Sequence, residues 1–573
     1  MKNYILTLIT GLIAWFAAPA VVGQITDPWP DTFPPPSATA ATFKKTHPGW
    51  DLDTIHPADF SPLVSGMDFL PDGRMVLLTY KPPEVFILDG VLGTNRAAVK
   101  ATKIADGFSN PLGLKVVDGE IYVLDFKQIS HLKLKPGAMA DKEAIGPVYN
   151  LNAAGHPTVF GLAYKDGAFY HNFGMWDGPA GQLGHTVKTT LAGQREVLGS
   201  GLRTPDGLAF GPNGDLFSVD LQGDWLPCNK FIHMVKGRWY GHDKSKVAGD
   251  VFSPPAVYLP HGEVAMSPSQ PLFVPSGLYK DQFLLGDVRF PEITRIFLEK
   301  VQGEYQGAAF RFSGSDELEA GVHRMVWGPD SNIYLGEIGG ADFGHWTWSW
   351  GTRTSGLGRL KPNGKDAFEM LSAKARVGGI ELEFTEAVGA SAGNISSYVA
   401  QMWHYVPTLN YGGPKTDTAT LKVAAVQIHP DKKHVFLSLP GMKAGFLVYL
   451  KLNSFQSASA RPLWTQETWY TLNKLSDTQP FADVVVNVRA HEGTPQALGS
   501  WSLRNTGTGL GISVSHGGQY RVRLMDIQGK VAADVRGAGS NEQLIQPSHV
   551  GQGLYQVEVT TEAGRSFRTA ILN

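Results

Sequence analysis

The 573-residue sequence contains a single cysteine, Cys228. One thiol forms no disulfide within the chain, cannot build the Cys-x-x-Cys-His attachment of a c-type haem, and supplies no cysteine-based zinc or iron–sulfur site. The domains must therefore be held by their cores, any electron-transfer cofactor is bound without thiols, and no haem is expected. An excess of charge is also missing, because 50 Lys and Arg stand against 52 Asp and Glu. No global field steers such a chain to nucleic acid or acidic lipid, so DNA and RNA are poor partners. Long apolar runs are scarce as well. The run from Tyr4 to Phe16 falls short of the roughly 20 residues that span a bilayer, and nothing later supplies such a stretch. With Lys2 before it and Ala17-Ala18-Pro19-Ala20 after it, this run reads as a secretory signal over residues 1–23, which leaves no transmembrane span in the mature chain.

What the sequence has in quantity is Gly (66), Pro (37) and aromatic residues on short β-like runs. That composition points to an all-β protein rich in turns, and the length to two to four domains. Residues 24–50 are Pro-rich without periodicity and read as an extended leader. From there a hairpin pattern recurs six times: GMDFLPDGRMVLLT from 66, GLKVVDGEIYVLD from 113, GLAYKDGAFYHNF from 161, GLAFGPNGDLFSVD from 207, GLYKDQFLLGD from 277 and RMVWGPDSNIYLGE from 324. The spacings are 47, 48, 46, 70 and 47 residues, so one unit carries an insertion of about 23. A period near 45 with four short strands is the mark of a propeller blade, since a lone four-stranded sheet cannot cover its faces until neighbours stack around an axis. A six-bladed β-propeller is expected over residues 51–370.

Propeller geometry sorts these residues by face. The Asp-Gly and Asn-Gly turns mark the lower side, so the residues just before each first strand and just after each second strand converge on the upper side, around the axis. At the ends of the second strands stand Thr79, Asp125, Phe173, Asp220, Asp287 and Glu337. Four carboxylates at equivalent places suit a hard cation or a bound polyol, although Asp also favours strand ends by bonding nearby backbone. Before the first strands lie Asn110, His156, Arg203 with Asp206, and His323 with Arg324, and Lys127 and Arg289 follow two of the carboxylates. Cations beside carboxylates fit an anionic cofactor or substrate next to a metal or a general base, or else simple salt bridges. The segment 201–242 is the densest of all. It adds Gln222, Asp224 and Trp225 at the fourth exit, with Trp225 as a wall for a sugar or planar ring, or as part of a structural flap.

The stretches GLRTPDGLAFGPNGDLFSVDLQGDWLP, KGRWYGH, ITRIFLEKVQGEYQGAAFRF, HRMVWGPDSNIYLGEIGG and GLGRLKPNG resemble secreted bacterial sugar-dehydrogenase-like proteins of the soluble quinoprotein glucose/sorbosone dehydrogenase superfamily, over about residues 55–370. The resemblance implies pyrroloquinoline quinone (PQQ) and calcium on the upper face of a six-bladed propeller. It further implies a histidine base that removes a hydroxyl proton while hydride passes to the quinone. In those terms His156, His323 and Asp206 are the candidate catalytic residues. Arg203, Gln222, Trp225, Arg289, Arg324 and Lys127 are the candidate cofactor-binding residues, and Asp125, Asp220, Asp224, Asp287 and Glu337 the candidate metal ligands. The His-Asn-Gly-Gly stretch found in the glucose dehydrogenases is not present, and His156 stands instead in AAGHPTVFGLAY.

After the propeller, residues 371–475 alternate in short runs that suit an immunoglobulin-like β-sandwich. Trp403, Tyr405, Tyr411, Trp464, Trp469 and Tyr470 read as its core rather than as a carbohydrate-stacking surface. Residues 476–490 read as a linker. Residues 491–573, with Asp-x-x-Gly-Lys and Gly-Leu-Tyr-x-Val-x-Val-x-Thr before a last basic-apolar strand, resemble the C-terminal sorting domains of type IX secretion, a small β-sandwich. That resemblance implies handling by the type IX machinery and release from, or attachment to, the surface of a diderm bacterium. The expected activity is oxidation of a sugar or polyol hydroxyl. The alternatives are a non-catalytic propeller that binds carbohydrate, including polysaccharide, and a calcium-dependent lactonase-type hydrolase.

Overall fold

The computed structural model describes residues 45–149, 159–175, 182–289, 291–314, 318–339, 355–484, 501–505, 510–515, 517–526, 531–545, 553–561 and 564–572. The expected signal and most of the leader lie outside these residues.

Six four-stranded antiparallel arrays follow one another in the chain, and their innermost strands neighbour each other in a closed ring. The first is built from Val64–Phe69, Met75–Thr79, Val85–Asp89 and Lys100–Ala105. The sixth takes three strands from Gly321–Trp327, Ile333–Ile338 and Ser355–Pro362, and its outer strand, Trp50–Thr54, from the other end of the propeller sequence. Trp50 pairs opposite Pro362 and Thr54 opposite Gly358, so the ring is closed by joining the two ends of the segment in one sheet. Apolar side chains fill the seams between blades: Leu78 and Val76 of blade one meet Leu114 and Val123 of blade two, and the stacked rings of Phe217 and Phe231 in blade four pack tilted against Phe283 of blade five. Burying each contributes roughly 1.5–3 kcal/mol.

The recurring glycine of the repeat has a packing cause. A Cβ at Gly66 would lie 2.6 Å from Leu114 Cβ of the next blade, and one at Gly207 would lie 2.4 Å from Gln270 Cα. Around the axis the inner strands approach too closely for side chains at these places. Blade six has Arg324 at the corresponding position, paired opposite Gly336 as Gly207 is opposite Val219. Its side chain reaches the carbonyls just before two of these glycines, those of Ser65 and Leu112.

Blade five departs from the sequence expectation. Its inner strands are Pro268–Val274 and Gln282–Asp287, and Gly277-Leu278-Tyr279-Lys280 forms the turn between them. The true first strand, PSQPLFV, carries two prolines and no glycine, so the repeat signature is absent from it. The added length of blade four also has a definite place. It runs from 234 to 256, between the strands Asn229–His233 and Val257–Leu259, where Trp239 and Tyr240 join Ser200 of blade three.

The next unit has two sheets. Met370–Arg376, Gly379–Phe384, His434–Ser438 and Ala425–Ile428 make one, and Glu467–Leu472, Phe446–Leu452, Tyr398–His404 and Thr416–Leu421 make the other. The second continues blade five, because Gly307–Ala309 pairs antiparallel with Thr471–Trp469. One eight-stranded sheet therefore runs from the propeller into this unit. Trp403, Trp469 and Tyr470 are fully buried, as expected of core aromatics. Residues 476–484, read from sequence as linker, lie against the unit: Val377 bonds the Thr478 carbonyl, and Arg376 pairs with Asp483 at 2.7 Å. The last unit has the sheets Trp501–Asn505, Leu510–Val514, Asn541–Ile545 and Val531–Ala538, Gln519–Asp526, Gly553–Thr561, Gly564–Leu572, with Ile512, Val522, Leu524 and Val557 buried within it. Among the described residues, no helix is long and apolar enough to cross a membrane.

Candidate functional site

The side chain of Arg324 lies across the axis. Its Nε donates to the Ser65 carbonyl of blade one (3.1 Å), and Nη2 to the Leu112 carbonyl of blade two (2.8 Å). Nη1 and Nη2 both reach Asp206 Oδ1 of blade four, at 3.3 and 3.4 Å. One guanidinium thus joins four blades, as its planar fork of donors allows. His323 meets the same carboxylate: its Nδ1 donates to the Val64 carbonyl at 2.7 Å, and its Nε2 lies 3.2 Å from Asp206 Oδ1. Asp206, His323 and Arg324 are 1–2% exposed. Burial, and then Arg324, push the His323 pKa down. A neutral imidazole with its Nδ1 proton committed to Val64 turns the lone pair of Nε2 toward Asp206 Oδ1, which receives its donors from Arg324. The other oxygen, Asp206 Oδ2, is buried without a hydrogen-bond partner.

The four strand-end carboxylates have a different role. Asp125 accepts from the amides of Ser109 (3.0 Å), Lys127 (2.8 Å) and Gln128 (2.9 Å). Asp220 accepts from Arg203 and Thr204, Asp287 from Met266, Ser267 and Arg289, and Glu337 from Ala320. Each binds the loop that leads into its own blade's first strand. The expectation that they converge on a metal is therefore corrected. Among the described residues, the group of three or more His, Cys, Asp or Glu able to hold an ion is elsewhere, and Asp125, Asp220, Asp224, Asp287 and Glu337 do not gather.

At the fourth exit, Arg203 Nε donates to Asp224 Oδ1 at 2.8 Å, and Nη1 donates to the Gln222 carbonyl and Thr204 Oγ1, both at 3.2 Å. His242, brought by the 234–256 excursion, places Nε2 3.5 Å from Asp224 Oδ2. Burial raises the Asp224 pKa, but the nearby His242 and the bond from Arg203 outweigh it and hold the carboxyl well below its usual range. Beneath, Lys230 is fully buried 3.8 Å from Asp220, and burial lowers its pKa to about 8 against the pull of that carboxylate. The exit is covered by the second unit. The Trp225 amide donates to the Thr408 carbonyl (2.7 Å), the Gly412 amide to the Gly223 carbonyl (2.8 Å), and the Arg203 guanidinium lies 5.0 Å from the Tyr411 ring centre. Arg203, Gln222 and Trp225, expected to line an open groove, are instead joined to the 408–413 loop. Lys127 is exposed and Arg289 half-buried, each two residues past a strand-end carboxylate on the upper side. His156 lies outside the described residues.

Comparison with known proteins gives the following. No protein-family model matches the chain, and no curated protein matches it. Solved structures do. A glucose dehydrogenase-type oxidoreductase from Thermus thermophilus is 18% identical, with 55% of this chain and 100% of that chain covered and a TM-score of 0.42. The PQQ-bound aldose sugar dehydrogenase from Streptomyces coelicolor is 14% identical, covering 55% and 100%, with a TM-score of 0.40. The PQQ domain of pyranose dehydrogenase from Coprinopsis cinerea is 13% identical, covering 56% and 97%, with a TM-score of 0.41. At such identities, chemistry has to be argued from the residues of the site.

Two features of that site had no signal in the sequence. Tyr411 lies about two hundred residues beyond Arg203 in a different unit, and the Ser65 and Leu112 carbonyls act through backbone alone. The convergence of Asp206 with His323 was visible only as two residues at equivalent places in blades four and six.

Proposed function

We propose that the protein is a sugar or polyol dehydrogenase of the quinone-dependent kind, with the upper end of the propeller axis as its site. The observation that carries this reading is the buried group of Asp206, His323 and Arg324, which leaves Asp206 Oδ2 without a donor. A buried polar atom left unbonded costs about 1–3 kcal/mol, and a carboxylate oxygen more, so the site calls for a hydroxyl, a water or a cation there. A sugar hydroxyl would supply that donor, and Asp206 Oδ2 is the atom of this chain placed to take its proton while the carbon, losing its hydride to the quinone, becomes a carbonyl.

PQQ is an anion and needs cations. Lys127 and Arg289 stand on the upper side, each two residues past a strand-end carboxylate, and we assign its binding to that side. Bound there, PQQ would accept the two electrons of the substrate's C–H bond. The candidate carboxylates do not make a calcium set among the described residues, since Asp125, Asp220, Asp287 and Glu337 hold backbone amides and Asp224 faces Arg203 and His242. We read the protein further as exported through the type IX pathway to the cell surface or medium of a diderm bacterium, on the residues of its two termini. The middle unit is read as immunoglobulin-like, on a strand order in which the first, second, sixth and fifth strands form one sheet.

A second reading is favoured by one observation. With Arg203 and Arg324 paired internally and the fourth exit covered, the propeller suits a carbohydrate-binding protein without redox chemistry. Calorimetry of the protein with PQQ and calcium, followed by a dye-linked oxidation screen over sugars and polyols, separates the two. Binding and turnover that falls at least a hundredfold in Asp206→Asn support the dehydrogenase, provided the variant keeps its fold by circular dichroism. Absence of both overturns it, and retention on insoluble polysaccharide without turnover establishes the second reading.

A further inference from the structure

Away from the axis, in the second unit, the hairpin between Ala425–Ile428 and His434–Ser438 carries the sequence His429-Pro-Asp431-Lys-Lys-His434. One nitrogen from each imidazole and one Asp431 oxygen lie within 4.8 Å of one another. Asp431 sits between the rings, with Oδ1 3.1 Å from His429 Nδ1 and Oδ2 2.7 Å from His434 Nδ1. The turn is fixed by its own backbone: the His429 amide donates to the His434 carbonyl (2.9 Å), the Lys432 amide to the His429 carbonyl (2.8 Å), and the Lys433 amide to Asp431 Oδ1 (2.8 Å). Three ligand atoms are thus presented from six residues of a closed turn, and little conformational freedom remains to be lost on binding.

His429 Nδ1 accepts from the Asp431 amide only at 3.4 Å, near the limit of a hydrogen bond, and stands 3.1 Å from Asp431 Oδ1. A positive centre among the three side chains would engage the two imidazoles and the carboxylate more strongly than that long contact does. A first-row metal bonds nitrogen and oxygen at roughly 2.0–2.2 Å, which places its ligands about 3–3.5 Å apart, near the separations present here. Outside this set, Glu383 Oε1 lies 3.8 Å from His434 Nε2, where a carboxylate orients a metal-bound imidazole, and Ser372 holds the other oxygen of Glu383 at 2.8 Å.

We propose that His429, Asp431 and His434 bind one divalent first-row transition metal ion. Two imidazoles and one carboxylate select Zn²⁺, Ni²⁺ or Cu²⁺ over Mg²⁺ and Ca²⁺, which take oxygen donors. The ion lies where the Phe481 ring is 5.2 Å from His429, beside the chain that leaves this unit, so it fastens the hairpin at that exit.

The full chain, prepared without a histidine tag and cleared of metal with chelator, is titrated with Zn²⁺ by calorimetry and with Cu²⁺ by electron paramagnetic resonance. One ion per chain is expected, with nitrogen hyperfine structure. The affinity should fall at least tenfold in His434→Asn and in His429→Asn, and stay unchanged in His404→Asn, whose imidazole pairs with Asp417 elsewhere in the unit. Asp431→Asn, which keeps the turn's acceptor oxygen and removes the charge, should weaken binding likewise, so the result does not depend on a variant that misfolds. Failure to bind Zn²⁺ at 100-fold excess of ion over chain, or an affinity indifferent to both histidine substitutions, overturns the proposal.

Discussion

The guanidinium of Arg203 in the propeller lies 5.0 Å over the ring of Tyr411 in the second unit, while its Nε holds Asp224 at 2.8 Å. This contact, with the backbone bonds from Trp225 and Gly412 and the shared eight-stranded sheet, makes the second unit a lid on the fourth exit rather than a pendant domain.

Tyr411→Ala should therefore destabilise the propeller and the second unit together, by about 1–2 kcal/mol for a desolvated cation–π contact. Tyr411→Phe, which keeps the ring face, should cost much less. Denaturant unfolding followed by tryptophan fluorescence measures both.

At the axis, Asp206→Asn leaves the Arg324 charge without its counterion and should cost about 3–5 kcal/mol. The pair Asp206→Asn with Arg324→Met should cost less than the sum of the single substitutions, because removing both charges removes the uncompensated one. A double-mutant cycle in chemical denaturation reads this coupling directly. Additive losses would show that the two side chains act independently.

Asp125 binds three amides, and Asp125→Ala should cost about 2–4 kcal/mol through the freed loop before blade two. Since the loss runs through backbone amides, chelator should leave the difference in Tm between the variant and the natural protein unchanged. A difference that vanishes in chelator would assign Asp125 to a metal.

Stability should also fall in acid for a reason located in two histidines. Burial lowers the pKa of His171 to about 3 and that of His261 to about 4, both from 6.5. Between 6.5 and those values the unfolded chain binds protons that the folded one refuses, so this stability is complete above pH 6.5 and is lost as pH falls toward 4 and 3. Each histidine contributes a slope of up to about 1.4 kcal/mol per pH unit. His171→Gln should flatten the profile in that window, as measured by urea unfolding at a series of pH values, and an unchanged slope would refute the assignment.

The sequence by itself determined the ring. The period of the hairpins, and the inner-strand glycine and Asp-Gly or Asn-Gly turn of blades one to four, are local signals, and they placed five of six blades in register and put the strand-end carboxylates on one side. The fifth blade was misplaced because PSQPLFV carries two prolines and no glycine, and the period fell instead on Gly277 in the turn. Pattern also brought out Asp206 and His323 as equivalent positions. What it could not decide was occupancy, meaning which donor each carboxylate receives, and only the tertiary structure assigned backbone amides to Asp125, Asp220, Asp287 and Glu337 and a guanidinium to Asp206. The closing strand Trp50–Thr54, the sheet carried from blade five into the second unit, and Tyr411 over Arg203 depend on segments far apart in the chain. Pairing across such distances is chosen by how whole sheets pack, and a one-dimensional period holds no record of it.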